Sequence, residues 1–180
     1  MDRDNTLMFD VPYCSRPEDV RLMPGAGPAV RRLREFGFLT VVITNQSGIA
    51  RGFFMDIELR AVNAELERQL AAWNARIDAL YYCPHLPTDG CACRKPGTLL
   101  FEQACREHAI DPEKSFVIGD RSADVEAGAR IGARTILIRN DVGLAEIASR
   151  GVKPTAICQD LPDSVTWLLN EEDVVRAGRP

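Results

Sequence analysis

Short apolar runs alternate with amphipathic segments along most of this chain. Four runs have the β-branched and aromatic composition of buried strands, namely 38–43, 79–82, 115–118 and 135–138. Segments with apolar residues at helical spacing lie around them, namely 24–37, 56–77, 99–109, 122–131, 142–150 and 161–170. This alternation is typical of a parallel sheet covered by helices on both faces. We therefore predict an α/β fold, a three-layer α/β/α Rossmann-like domain with a parallel sheet.

The length of the chain suits one domain. Its 180 residues are enough to bury a core, and the sequence contains no internal repeat, low-complexity stretch or linker. We predict a single domain over residues 1–172, followed by a polar C-terminal tail over residues 173–180.

Composition and charge exclude several classes of protein. Hydrophobic residues make up 46% of the chain and charged residues 27%, as in soluble globular proteins. The net charge of −4 and the pI near 5.3 argue against a nucleic-acid partner. No apolar run is long enough to span a membrane, and the acidic N-terminus is unlike a signal peptide. We expect a cytoplasmic protein that binds neither nucleic acid nor membrane.

Polar residues cluster where the predicted strands end. Asp2 and Asp4 are two residues apart, so in extended backbone they point the same way and can share a divalent cation such as Mg²⁺. Thr44 and Asn45 follow one strand, and Asp120 follows another. Ligands of parallel α/β sheets bind at this edge, so we expect the polar residues to meet there in one site.

A second cluster has the spacing of a metal site. Cys83, His85, Cys91 and Cys93 offer four ligands within eleven residues, as tetrahedral Zn²⁺ requires. All four positions are then filled by protein, which predicts a closed, structural zinc site that staples a loop rich in proline and glycine. The remaining three cysteines are scattered, as expected for ordinary thiols in a reducing compartment.

Four motifs, taken in order, resemble those of the haloacid dehalogenase (HAD) superfamily of phosphatases. They are Asp2-Arg3-Asp4-Asn5-Thr6, Thr44-Asn45-Gln46-Ser47-Gly48, Lys95, and Gly119-Asp120-Arg121-Ser122-Ala123-Asp124. The stretch from Thr44 to Gly52 and the loop from Cys83 to Pro96 resemble more closely the zinc-containing heptose bisphosphate phosphatases. The histidinol phosphatases are the nearest relatives of that family and share its metal loop.

The resemblance implies a role for each matching residue. Asp2 attacks phosphorus, and Asp4 serves as general acid and then general base. Thr44 and Lys95 donate to the phosphoryl oxygens. Mg²⁺ is implied to be held by Asp2, the backbone carbonyl of Asp4 and Asp120, with Asp124 orienting these groups. Residues at positions that line the family's substrate pocket are Asp10, Val11, Pro12, Tyr13, Asn45, Gln46, Ser47, Arg94 and Arg121.

The implied substrate is a small phosphorylated sugar. The resemblance indicates removal of the 7-phosphate from D-glycero-D-manno-heptose 1,7-bisphosphate, and two arginines suit a second phosphate. Histidinol phosphate or another small sugar phosphate is the alternative, although the stretch Ser47–Gly52 favours the heptose. The segments after Thr6 and Thr44 are too short for a separate cap domain, and we expect a monomer. A zinc-dependent nucleic-acid binder is the least favoured class.

The start of the chain departs from the family pattern. The family has an apolar strand before its nucleophile, whereas here Met1 directly precedes Asp2. We therefore expect a truncated first strand and reduced activity, because a nucleophile at a chain end is poorly positioned. A truncated, non-catalytic, metal-stapled module is the corresponding alternative. Asn5 stands where many relatives have glycine, and asparagine tolerates the left-handed turn that glycine would make.

Overall fold

The computed structural model describes residues 1–177 as five strands, six α-helices and two short 3-10 helices. The strands are β1 (Val41–Asn45), β2 (Ala79–Cys83), β3 (Phe116–Gly119), β4 (Arg134–Ile138) and β5 (Ala156–Cys158). The helices are α1 (Ala26–Glu35), α2 (Asp56–Ala71), α3 (Leu99–His108), α4 (Ser122–Arg130), α5 (Asp141–Arg150) and α6 (Leu161–Ala177). The 3-10 helices are Pro17–Asp19 and Pro112–Lys114.

The strands form two parallel groups that meet at the N-terminus. β1 pairs with β2, and β4 pairs with β3 on one side and β5 on the other. Met1 and Asp2 lie between the groups: Met1 N donates to Val41 O at 2.7 Å, Ile43 N donates to Met1 O at 3.0 Å, and Asp2 N donates to Ile118 O at 2.9 Å. These bonds join the two groups in the order β2, β1, Met1–Asp2, β3, β4, β5.

Alternate strand residues pack on opposite faces, which produces three layers. One core contains Val42 and Ile118 together with apolar residues of α1, α2 and α6. The opposite core contains Ile43 and Val117 together with residues of α3 and α4. The predicted α/β/α architecture is therefore confirmed.

The sequence located most elements but misjudged several ends. β5 was not predicted, because its three residues are too few to show a pattern. The predicted helix 56–77 is too long: α2 stops at Ala71, and the backbone turns so that the N–H groups of Trp73 and Ala75 donate to Leu70 O. Trp73 instead packs against Gly27 of α1, where a Cβ atom would collide with the indole.

The last helix is longer than predicted. α6 continues to Ala177, whereas the helical pattern was expected to end near residue 170. The proposed tail 173–180 therefore begins inside this helix, and its last three residues lie outside the described part of the chain. The single domain over residues 1–172 stays a prediction.

An apolar cavity lies beside the short first strand. It has a volume of about 110 Å³ and lies between β1 and β3, with Met1 at one end and Phe101 of α3 among its walls. The expected truncation of the first strand stays a prediction.

The segments that precede α1 and α2 contain little regular structure. Within the described residues, the stretch 7–24 holds one 3-10 helix and two isolated β-bridges, and 46–55 holds turns. Both are loops over the sheet edge, with no inserted cap domain. Among residues 1–177, no helix combines the length and apolar character that crossing a membrane requires.

Candidate active site

The polar residues predicted for the sheet edge line one open cavity of about 720 Å³. All five residues with a predicted catalytic or magnesium-binding role contribute to its walls, namely Asp2, Asp4, Thr44, Lys95 and Asp120. The carboxyl ends of parallel strands meet at this edge, which is why residues distant in sequence come together.

The turn after Asp4 brings the N-terminal motif against the end of β3. Asn5 adopts φ 53°, the left-handed conformation that asparagine tolerates. The N–H groups of Leu7 and Met8 close the turn by donating to Arg3 O at 2.9 and 3.1 Å. Asn5 Nδ2 also donates to Asp120 Oδ2 at 3.2 Å. The asparagine thus preserves the turn and links it to the carboxylate that follows β3.

Lys95 is the central cation of the site. Its Nζ lies 2.7 Å from Asp2 Oδ1 and 2.6 Å from Asp124 Oδ1, and it donates to Ile43 O at 2.7 Å. Burial alone would lower the pKa of Lys95, but the carboxylates of Asp124 and Asp2 outweigh it and hold that pKa above its ordinary value. The ammonium therefore stays charged beside Asp2.

A group of buried carboxylates surrounds this lysine. One oxygen each of Asp2, Asp120 and Asp124 lie within 4.8 Å of one another. Burial, together with the negative charges of Asp2 and Asp124, raises the pKa of Asp120 to about 7. The single lysine leaves the cluster with excess negative charge, so the donor set suits a hard divalent cation.

Asp124 is held from two sides. It occupies the first turn of α4, where its Oδ2 accepts from Arg121 N at 3.1 Å while Oδ1 faces Lys95. Gly119 makes this approach possible, because a Cβ atom there would collide with the Asp124 carboxylate. The glycine before Asp120 is thus explained by a close contact that the sequence alone does not reveal.

Asp4 is surrounded by donors. Arg3 donates from Nε to Asp4 Oδ1 at 3.1 Å and from its Nη2 atom to Oδ1 at 3.0 Å and Oδ2 at 3.1 Å. Gln46 Nε2 donates to Asp4 Oδ2 at 2.8 Å. Burial raises the pKa of Asp4, and the Arg3 guanidinium opposes that rise. Sequence reasoning assigned no role to Arg3.

The residues after β1 bond mainly to other residues of the site. Asn45 Oδ1 accepts from Lys95 N at 3.0 Å, and its Nδ2 donates to Lys95 O at 3.3 Å. Gln46 also donates to Thr44 Oγ1 at 2.9 Å, and both side chains are buried. Asn45 and Gln46, predicted to contact substrate, therefore hold Lys95, Asp4 and Thr44 in this structure.

The predicted substrate residues divide into two sets. Those that line the cavity are Asp10, Asn45, Arg94 and Arg121, whereas those outside its lining are Val11, Pro12, Tyr13, Gln46 and Ser47. The Tyr13 ring packs edge-on against Phe53, with centroids 4.6 Å apart, on an exposed part of the loop.

Arginines dominate the rim of the cavity. Arg94 donates to His85 O at 3.3 Å, and Arg121 forms an ion pair with Glu146 of α5. The hydrogen bond from Arg121 lowers the pKa of Glu146 to about 2. Sequence reasoning missed Arg130 and Arg150, which also line the cavity, because basic residues in the last turn of a helix are ordinary.

The predicted zinc ligands converge on one point. The Sγ atoms of Cys83, Cys91 and Cys93 are 3.1–3.6 Å apart, and His85 Nδ1 lies 3.5 Å from Cys83 Sγ and 3.2 Å from Cys93 Sγ. Ligands around tetrahedral Zn²⁺ are separated by about 3.5–3.8 Å, given bonds of about 2.0–2.3 Å. Burial raises the pKa of Cys83 to about 12, so a cation is needed to hold it as a thiolate.

Fold and site together define a HAD-like hydrolase, and a family comparison agrees. Residues 92–164 match the family model described as "HAD-hyrolase-like". The crystal structure of D,D-heptose 1,7-bisphosphate phosphatase from B. bronchiseptica, complexed with magnesium and phosphate, superposes with a TM-score of 0.87 and 34% identity. The match covers 94% of this chain and 96% of that one.

Relatives define the family more narrowly. A probable D-glycero-D-manno-heptose-1,7-bisphosphate 7-phosphatase of Thermoplasma volcanium is 38% identical, over 78% of this chain and 97% of the relative. The D-glycero-beta-D-manno-heptose-1,7-bisphosphate 7-phosphatase of Bordetella bronchiseptica is 34% identical, over 95% of this chain and 97% of the relative. The chain belongs to this family of HAD phosphatases.

Proposed function

We propose that this protein is a phosphomonoesterase that removes the 7-phosphate from D-glycero-D-manno-heptose 1,7-bisphosphate. The observation that carries the proposal is the pairing of Lys95 Nζ with Asp2 Oδ1 at 2.7 Å, beside further buried carboxylates, in a cavity of about 720 Å³. An aspartate that is paired with a lysine ammonium in an open cavity is suited to attack a phosphate ester.

Asp2 and Asp4 carry out the two chemical steps. Asp2 attacks phosphorus, forming an aspartyl-phosphate while the bond to the sugar oxygen breaks, and Asp4 gives that oxygen a proton. Asp4 then takes a proton from the water that attacks the aspartyl-phosphate, and inorganic phosphate leaves. Lys95 and the Thr44 hydroxyl donate to the phosphoryl oxygens as charge builds on them.

Asp2, Asp120 and the backbone carbonyl of Asp4 would hold Mg²⁺, with Asp124 and Lys95 maintaining the positions of these groups. When bound, the cation neutralises charge that otherwise repels the phosphate from the nucleophile. The raised pKa of Asp120 is consistent with the assignment, because it reflects burial together with the negative charges of Asp2 and Asp124. The magnesium bound in the B. bronchiseptica structure is further support.

Zn²⁺ would bind Cys83, His85, Cys91 and Cys93 and would affect catalysis by fixing the position of the loop. Arg94 and Lys95 directly follow the last ligand, so fixing the loop fixes both basic residues. Arg94 and Arg121 would pair with the second phosphate of the substrate, and that phosphate would then compete with Glu146 for Arg121.

The names of the relatives favour the heptose over histidinol phosphate, which stays the second candidate substrate. A monomer in a reducing cytoplasm completes the proposal, since a zinc thiolate site requires reduced cysteines.

Phosphate release by the purified chain with Mg²⁺ tests the function. Heptose 1,7-bisphosphate and histidinol phosphate are offered in parallel, with Asp2→Asn as the control for contaminating activity. We expect turnover of the heptose, a much slower reaction with histidinol phosphate, and no turnover by Asp2→Asn. Faster turnover of histidinol phosphate would overturn the substrate assignment.

A second candidate is a non-catalytic module. Among residues 1–177, the backbone hydrogen bonds that link β1 with β3 come from Met1 and Asp2, so the nucleophile lies in a short extended stretch. Absence of turnover on both substrates and on 4-nitrophenyl phosphate, from folded protein with zinc and magnesium bound, would favour that candidate.

A further inference from the structure

A buried arginine separates the two aspartates of the N-terminal motif. The Arg3 side chain is 1% exposed, and its hydrogen bonds are to Asp4 and Asn63 rather than to the carboxylates around Lys95. Three of its hydrogen bonds reach the Asp4 carboxylate, and its Nη1 atom donates to Asn63 Oδ1 at 2.9 Å. A charge this deeply buried is stable only when it is paired and fully hydrogen-bonded.

The geometry restricts the Asp4 carboxylate strongly. Arg3 reaches both oxygens of Asp4, which fixes the plane of the carboxylate, and Gln46 adds a donor to Oδ2 from a different element. Asn63 lies on α2, is 7% exposed, and anchors the guanidinium from the far side. Three residues from three parts of the chain thus determine where one carboxylate points.

We propose that Arg3, anchored by Asn63, is a positioning residue that holds the Asp4 carboxylate in the orientation for proton transfer. The inference rests on the proposed phosphatase function and adds to it the group that aims the acid–base residue. Arg3 is not among the residues that line the cavity, so its effect on the reaction passes through Asp4. Asn63 acts one contact further out, by keeping the guanidinium in place.

The leaving group separates this role from a structural one. A sugar or alkyl oxygen must be protonated as its bond to phosphorus breaks, so a misplaced Asp4 slows the first step. Nitrophenolate leaves without a proton, so its first step does not need Asp4. Hydrolysis of the aspartyl-phosphate needs Asp4 as base whichever leaving group was used.

Rapid-quench kinetics on Arg3→Lys and Asn63→Ala test the proposal, with Arg60→Lys as the matched control on the exposed face of α2. With heptose 1,7-bisphosphate, we expect phosphoryl transfer to fall about 10- to 100-fold in Arg3→Lys, because lysine cannot reach both oxygens of Asp4 at once, and by less in Asn63→Ala, which removes only the anchor of the guanidinium. With 4-nitrophenyl phosphate, we expect a burst of about one nitrophenolate per active site at the wild-type rate, followed by slow turnover.

Equal losses in both steps with both substrates, or a burst reduced in amplitude, would show a structural role and overturn the proposal. Unchanged rates in both variants would also overturn it. If the unaltered protein turns over 4-nitrophenyl phosphate but not the heptose, the substrate assignment fails, and an alkyl phosphate that it accepts replaces the heptose in the same comparison.

Discussion

At the scale of single residues, Lys95 does more than its place in the sequence indicates. It is 6% exposed and forms ion pairs with Asp2 and Asp124. Its backbone N–H donates a hydrogen bond to the Asn45 side chain. One side chain therefore serves as a phosphate ligand in the proposed mechanism and as the counter-ion of a buried carboxylate group.

Replacing this lysine is expected to damage stability as well as activity. Lys95→Met leaves the buried carboxylates of Asp2 and Asp124 without their cation. Removing one partner of a buried ion pair lowers the free energy of unfolding by about 3–5 kcal/mol. Urea unfolding and phosphate release measure the two effects. Lys114→Met is the matched control, because that lysine is exposed and pairs only with Asp111, so a change below about 1 kcal/mol is expected. A similar small loss for Lys95→Met would contradict the counter-ion role.

At the scale of elements, a carboxylate on α5 joins that helix to the start of α4. Glu146 accepts from Ser122 N at 3.0 Å as well as from Arg121, so a negative charge lies at the N-terminus of α4. Such an arrangement stabilises a helix through its exposed N–H groups and its dipole.

This contact predicts a defined pH dependence. The hydrogen bond from Arg121 lowers the pKa of Glu146 from 4.5 to about 2, so its contribution to folding is present above pH 4.5 and is lost as the pH falls to about 2. We expect Glu146→Gln to destabilise the protein by about 1–2 kcal/mol at pH 7. At pH 3 the difference should be less than half as large.

Urea unfolding at the two pH values checks the expectation, with Glu67→Gln on the exposed face of α2 as the control. A difference between Glu146→Gln and the unaltered protein that stays constant from pH 7 to pH 3 would show that the ionised carboxylate is not the stabilising group.

The cysteine-rich loop makes a second prediction at this scale. Cys91→Ser removes one of four converging ligands, and we expect it to lose the zinc, to unfold at lower urea concentration and to release phosphate more slowly. Metal analysis, unfolding and activity are measured on the same preparation. Cys105→Ser, in α3 and outside the cluster, is expected to keep about one zinc per chain. Retention of zinc by Cys91→Ser would refute the assignment.

At the scale of the whole molecule, the two groups of strands meet at Met1 and Asp2. Among residues 1–177, the backbone hydrogen bonds between the groups come from these two residues, and an apolar cavity lies beside them between β1 and β3. The position of Asp2 therefore depends on the backbone of this short connection.

Filling the cavity is expected to stabilise the protein. An extension of four valine and isoleucine residues ahead of Met1 would pair with both groups of strands, and each residue that becomes buried contributes about 1.5–3 kcal/mol. The measurement is the urea unfolding midpoint, compared with an extension of equal length made of glycine, serine and aspartate. Equal midpoints for the two extensions would show that the apolar segment does not enter the cavity.

Local sequence patterns were enough to predict most strands and helices and the cysteine-rich metal loop. The periodicity of apolar residues predicted the alternation of strands and helices. The spacing of Cys83, His85, Cys91 and Cys93 predicted a metal-binding loop. The motif residues Asp2, Asp4, Thr44 and Asp120 were identifiable because parallel strands place their carboxyl ends at one edge. Lys95 was identified through the resemblance to the HAD motifs. Their predicted catalytic roles stay proposals.

Tertiary structure alone decided which side chains meet across that edge. Nothing local indicates that Arg3 turns back to Asp4, that Glu146 pairs with Arg121, or that Asn45 and Gln46 bond to residues of the site. The contacts of Glu146, Asn45 and Gln46 join elements whose relative position depends on how the two cores pack. The direction of the Arg3 side chain depends instead on the turn after Asp4 and on its contact with α2. Short-range periodicity reports which face a residue occupies, whereas hydrogen-bond partners depend on what the folded chain places opposite that face.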